Sequence, residues 1–329
     1  MRGPTPVSAL LHAATLVVAR AILLARALPL FPAGVLTLVG LVGGLTAVVT
    51  GLMALAQGDL KRLLAASTSS QLGFMFLALG AGSLGGAIAH LVAHAAMKSA
   101  LFLGTGIYQE AYDSTAFDDL AGAGRAHRAT FALFAVAGLA LAGIPPLAGF
   151  WSKDAVVAAT VAAPTAGVLA PLALVGTLLT GGYIGRALRL LWHGPADNKP
   201  IAGIGWMIAG LAVLAFLAAT LGLAVRPIGS LLHVPIPGDP TSLVLDLVAA
   251  VAGLLAGWLI PLSSLFGLFG PARVGRDRVP RRGRVRRARG APGPRGRPAG
   301  RSHRRGDPPG RARGRAGSVG RGPRCPRRR

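Results

Sequence analysis

The sequence predicts an all-α polytopic membrane helix bundle of about eight spans, one of them broken, followed by a disordered basic C-terminal tail. Three observations carry this expectation. Of the 329 residues, 52% are hydrophobic and 14% charged, and the mean hydropathy of +0.57 lies outside the soluble globular range. The apolar residues gather in runs long enough to span a bilayer, separated by short polar loops. The formal charge of +24 is unevenly placed: residues 271–329 hold 22 Arg against 2 Asp, whereas residues 1–270 hold 13 Lys and Arg against 9 Asp and Glu. The chain therefore divides into an apolar body, 1–270, and a basic tail, 271–329.

Taken in order, the predicted spans are 5–24, 34–55, 62–79 and 85–107, then two short runs at 130–144 and 154–163, then 171–191, 201–225 and 242–262. The first run has no A-x-A-like cleavage site and reads as a mature helix. Between the short runs stands the break Pro145-Pro146-Leu147-Ala148-Gly149. Positive charge decides whether these runs are one span or two. Basic residues cluster at Lys61-Arg62, at Arg125 and Arg128, at Arg186, Arg189 and Lys199, and in the tail. All four clusters reach the cytoplasmic side only if the Pro-Pro region is one broken helix. A break at mid-membrane leaves backbone groups unpaired, and these are tolerated only beside protein or a water-filled cavity. Transporters build ion sites there; a turn at the membrane surface is the alternative.

The polar residues inside these runs are the candidates for chemistry. His90, His94 and Lys98 recur at spacings of four in AIAHLVAHAAMKSALFLG, which puts them in one row about 12 Å long on a helix face. Each ionisable group at bilayer depth costs about 2.5–3.5 kcal/mol or more, so a row of them needs explaining, and a proton path requires such a row. Histidine titrates near neutrality. A buried lysine poised between desolvation and a nearby carboxylate can gain and lose a proton as its surroundings change. Lys98 and Lys153 are the two intramembrane lysines, and Asp154 stands beside Lys153 to modulate it, although consecutive helical residues do not face each other. The bland alternative is that these residues satisfy buried hydrogen bonds between helices. His12, in the first span, either joins the relay or bonds a neighbouring helix. The cluster Ser67-Thr68-Ser69-Ser70-Gln71 can hold water or bond across helices, with plain packing slightly favoured for each member. Asp59 is expected to cap the helix after it, and Asp246 reads as interfacial. Arg20 sits at costly depth unless it snorkels outward.

The tail contains no Leu, Ile, Phe or Met, cannot bury a core and is expected to be disordered. It binds anionic lipid headgroups, binds RNA, or is an out-of-frame translation of a GC-rich gene; its indiscriminate Arg, Gly, Pro and Ala favour the last. It lacks aromatics to stack on bases, so no nucleic-acid partner is expected. A structural membrane scaffold with a lipid- or RNA-contacting tail is the alternative outside transport. The one cysteine, Cys325, excludes an internal disulfide. The sequence carries no GxGxxG fingerprint after a strand, no phosphate loop and no Cys or Cys/His metal set. No cofactor is expected on this chain, and electron transfer or ATP hydrolysis falls to others.

The stretches GPTPVSALLHAAT (3–15), GDLKRLLAASTSSQLGFMFLALG (58–80), HLVAHAAMKSALFLGTG (90–106) and GIPPLAGFWSKD (143–154) resemble the antiporter-like membrane subunits of respiratory complex I. The L subunit of bacterial NADH-quinone oxidoreductase (mitochondrial subunit 5) is the nearest likeness, and the large subunit of Mrp-type sodium/proton antiporters is similar. Lysine followed by aspartate after the break fits that branch; the M subunit has a glutamate there. The resemblance implies a proton-translocating translocase subunit without redox centres of its own, in the bacterial cell membrane, with other membrane subunits as partners. A sodium/proton antiporter subunit is the alternative within that class. It also implies two inverted five-helix repeats, of which this chain holds one whole repeat and one helix of the other, as expected of a fragment. His90, His94 and Lys98 then lie on a central hydrophilic axis, Lys153 lies in the second half-channel, and His12 lies between the halves.

Overall fold

The computed structural model describes residues 16–195, 199–201, 203–231 and 233–260. His12, the start of the first predicted span and the tail 271–329 lie outside the described residues. Within them the chain forms helices α1 (Leu16–Ala27), α2 (Ala33–Ala56), α3 (Leu60–Gly80), α4 (Leu84–Tyr112), α5 (Arg128–Ala142), α6 (Ala148–Ala162), α7 (Ala166–Trp192), α8 (Ile204–Thr220) and α9 (Pro240–Leu259), with short helical turns between some of them. Six of the described helices are long and apolar enough to cross a bilayer: α2, α3, α4, α7, α9, and α8 with the turn that extends it to Ala224. Helices α5 and α6 have 15 residues each, too few to span alone, and are joined through 143–147.

Local chemistry sets the helix ends. Asp59 caps α3 by accepting from Arg62 N at 2.8 Å, as its position predicts, and its other carboxylate oxygen accepts from Thr115. Ser83 caps α4 through Gly86 N, and Asp239 caps α9 through the amides of Thr241 and Ser242, with Pro240 at the first position. Helix α5 stops at Gly143, whose φ of +93° is left-handed and which closes the last turn by donating to Leu139 O. The sequence predicts the second half of the broken span from 154, but α6 begins six residues earlier. The Pro145–Pro146 pair, not the charges, sets its start, so Ser152, Lys153 and Asp154 lie within its first two turns.

Hydrogen bonds between loops fix the topology. Leu60 N donates to Thr115 O and Phe117 N to Gly58 O, which joins the start of α3 to the end of α4. Arg186 donates to Gln57 O at 2.7 Å, and Arg125 to Gly194 O. The end of α7 therefore sits with the start of α3, and Lys61, Arg62, Arg125, Arg128, Arg186 and Arg189 gather at one end. The α5–α6 pair starts at that end, beside Arg125 and Arg128, and leads to the start of α7.

The faces sort by polarity in the sense a membrane requires. Val35, Leu38, Val42, Leu45, Val49 and Leu52 form an exposed apolar stripe on α2, at the spacing of one helix face. Valines 244, 248 and 251 with Leu255 do the same on α9. Buried Ser, Thr, Gln, His, Lys and Asp side chains of α3, α4, α6, α7 and α9 face one another inside. Backbones approach closely where small residues meet: a Cβ on Gly73 of α3 would stand 2.5 Å from Gly43 O and 2.6 Å from Ala47 N of α2. Gly253 of α9 lies against Leu178 O of α7 in the same way.

Gly73→Ala is therefore expected to destabilise the protein by about 1–3 kcal/mol, the range for overpacking. Gly34→Ala, at a position with nothing within 4 Å, is expected to be neutral. Thermal unfolding midpoints of the detergent-solubilised variants check this; equal midpoints would contradict the close α2–α3 approach.

Candidate functional site

Helix α4 brings the predicted row together. His90, His94 and Lys98 lie on one face and are fully buried, so each polar atom needs a protein or water partner. His90 is held from two sides, with Nδ1 at 3.1 Å from Ser152 Oγ of α6 and Nε2 at 3.1 Å from Gln71 Oε1 of α3. Gln71 spends its amide N–H groups on Thr180 Oγ1 at 3.2 Å and the Tyr183 hydroxyl at 3.1 Å, both on α7. Gln71 thus presents only its oxygen to His90, which makes Nε2 the donor and leaves Nδ1 of neutral His90 to accept from Ser152. Lys98 donates to Leu64 O at 3.2 Å and to Ser67 Oγ, and Ser67 also interacts with Tyr183. One connected series of side chains, Ser152–His90–Gln71–Tyr183–Ser67–Lys98, therefore runs through the bundle.

His94 stands between His90 and Lys98, its ring centroid 6.3 Å from that of His90. Both its ring nitrogens are buried, without a hydrogen-bond partner among the described residues. In a polar site, two such atoms call for water.

The second cluster lies at the break. Lys153 of α6 is fully buried; its ammonium makes a long hydrogen bond to Ala142 O, at 3.4 Å, and sits 5.2 Å from the centre of the Phe74 ring. Asp154 points the other way and accepts from Ser242 Oγ of α9 at 2.7 Å, so adjacency in sequence gives it no direct contact with Lys153. The carboxylate that Lys153 does face is Asp246 of α9. The sequence reads Asp246 as interfacial, whereas its exposure is 0%. The α9 helix packs inward against α7 and seals this face, with Thr177 donating to Asp246 Oδ1 at 2.8 Å. A cavity of about 770 Å³ opens on the far side of Asp154, lined also by Trp151, Gly222, Ser230, Asp239 and Val244.

Arg20 is exposed on α1. Sequence reasoning gives Gln71 the choice between packing and a bond across helices, and passes over Thr177, Thr180 and Tyr183; their signal is polar residues three apart in an otherwise apolar span. Among the described residues, no group of three or more His, Cys, Asp or Glu is placed to hold a metal ion. What the arrangement can do is hold and pass protons.

The family described as NADH:quinone oxidoreductase/Mrp antiporter, TM, matches residues 1–180. NADH-quinone oxidoreductase subunit L of Pseudomonas aeruginosa is 42% identical over 234 residues, covering 69% of this chain and 38% of that protein. The subunit L of Escherichia coli is 38% identical over 271 residues, covering 79% and 44%. The chain thus spans less than half the length of these relatives. Among solved structures, the Mrp complex of Dietzia sp. superposes with a TM-score of 0.71 at 28% identity, over 82% of this chain and 32% of that one. With more than half of its length matched by the family, this multi-pass membrane chain belongs to the NADH:quinone oxidoreductase/Mrp antiporter transmembrane family.

Proposed function

We propose that the chain is a proton-translocating membrane subunit of an NADH:quinone oxidoreductase assembly, in the bacterial cell membrane, with its basic end in the cytoplasm. The observation that carries this reading is the buried series from Ser152 to Lys98, in which the His, Lys, Tyr and Ser groups can release and accept protons and the Gln71 amide holds His90 and Tyr183 in place. Lys98 and Lys153 hold the proton, and His90 and His94 pass it between them. Water beside His94 completes the shorter route along α4. Asp154 acts from the cavity side, and its effect on Lys153 is electrostatic, not a contact. His12, outside the described residues, joins the path between the two halves, as the family resemblance implies. The subunit supplies only the proton path, and other membrane subunits supply the driving reaction.

The identity to subunit L proteins favours that assembly. The superposition on the Mrp complex supports a second reading, a subunit of a sodium/proton antiporter. The two differ in driving force: the first moves protons on NADH addition without sodium, and the second needs a sodium gradient and no NADH.

In inverted membrane vesicles carrying the complete assembly, Lys98→Ala or Lys153→Ala is expected to lower NADH-driven acidification at least tenfold, with the chain present at normal level. Normal acidification in both variants would reject proton transport through this chain. Gln71→Leu removes the hydrogen bonds to His90, Thr180 and Tyr183 at once. A loss of about 1.4 kcal/mol in the limiting step corresponds to tenfold in rate, and a fall of that order is expected. Ser69→Ala, exposed on α3, serves as the control that leaves the rate unchanged. Equal rates for the Gln71 and Ser69 variants would show that the series is only packing.

A further inference from the structure

Resting on the proton-transport reading, the geometry at the break assigns one more residue. Asp246 Oδ1 is satisfied by Thr177, but Oδ2 is buried and without a hydrogen-bond partner among the described residues. An unpartnered carboxylate oxygen in a sealed interior is costly unless a donor reaches it. A donor stands nearby. A Cβ built on Gly143 would lie 3.3 Å from Lys153 Cδ and 3.7 Å from Asp246 Oδ2. The one residue without a side chain at the end of α5 therefore leaves the space that joins the lysine to the carboxylate. The ammonium is two bonds beyond Cδ, so rotation about the last side-chain torsions carries it from Ala142 O and the Phe74 face towards Oδ2.

We infer that Asp246 is the group that takes the proton from Lys153 and hands it on towards the cavity beside Asp154. In this step an N–H bond of the Lys153 ammonium breaks and an O–H bond forms on Asp246 Oδ2, leaving a neutral amine and a neutral carboxylic acid. No oxidant or co-reactant is needed. The onward direction follows from α9: Ser242 and Asp246 are four apart and share a face, and Ser242 Oγ bonds Asp154 Oδ1, which borders the cavity. The uncharged pair lets Lys153 swing back to Ala142 and the His90 side to be recharged, and the empty place at Gly143 keeps that swing open.

The test uses inverted vesicles with the complete assembly, comparing Asp246→Asn, Asp246→Glu and Lys153→Ala by NADH-driven acidification and by infrared difference spectra of the carboxylic acid C=O stretch. Asp246→Asn is expected to lower acidification at least tenfold, and Asp246→Glu to keep a substantial part of it. A carboxylic acid band present during turnover is expected to vanish in Asp246→Asn and to shift in Asp246→Glu. If Lys153→Ala stops acidification but Asp246→Asn pumps normally, or the band survives in Asp246→Asn, the assignment of Asp246 is wrong and the transport reading stands. If Lys153→Ala itself pumps normally, the transport reading fails and this assignment fails with it. If Asp246→Asn is absent from the membrane, the Asp246→Glu spectrum decides: an unshifted band overturns the assignment.

Discussion

An ionisable group at bilayer depth finds its partners inside the protein or not at all, because hydrocarbon offers none. That constraint organises the bundle. The apolar stripes of α2 and α9 turn outward, and His90, His94, Lys98, Lys153 and Asp246 turn inward with no exposure at all. Five helices contribute to the polar seam that results, and each supplies something another lacks: α3 the Gln71 oxygen for His90, α7 the hydroxyls for Gln71, and α9 the serine for Asp154. Stability and transport draw on the same hydrogen bonds. A seam satisfied only by rigid pairs would be stable and inert; among the described residues, His94 and one oxygen of Asp246 are places where it stays incomplete.

The broken helix supplies the second half of the design. Ending α5 at Gly143 and restarting at Ala148 frees the Ala142 carbonyl for Lys153 and removes a side chain where Lys153 and Asp246 approach. The same glycine allows the left-handed turn that stops the helix. Its two roles are separable in principle, since the turn needs the backbone conformation and the approach needs the missing Cβ.

Much of this was legible in the sequence. The row at 90, 94 and 98 was readable because a period of four in an apolar span fixes a face, and the break in the helix was readable from the Pro145–Pro146 pair. Asp59 announced itself as a cap. What could not be read was which helix faces which. Asp154 adjoins Lys153 in sequence but turns toward Ser242, whereas Asp246, 93 positions away from Lys153, is the carboxylate that faces it. Asp246 looked interfacial because it stands near the start of its span, and only the packing of α9 on α7 shows that the face carrying it is buried. Gln71, Thr180 and Tyr183 look like ordinary interhelical packing until the tertiary fold places them between His90 and Lys98. The proposed role of His12 rests on sequence alone.

The central claim is that protons move along a wet interior seam. It is tested most directly by a density map of the assembled protein fine enough to show ordered water. The account predicts water bonded to the ring nitrogens of His94 and in the gap bounded by Lys153, Gly143 and Asp246. Apolar side chains packed directly against both His94 nitrogens, with that gap closed, would contradict it.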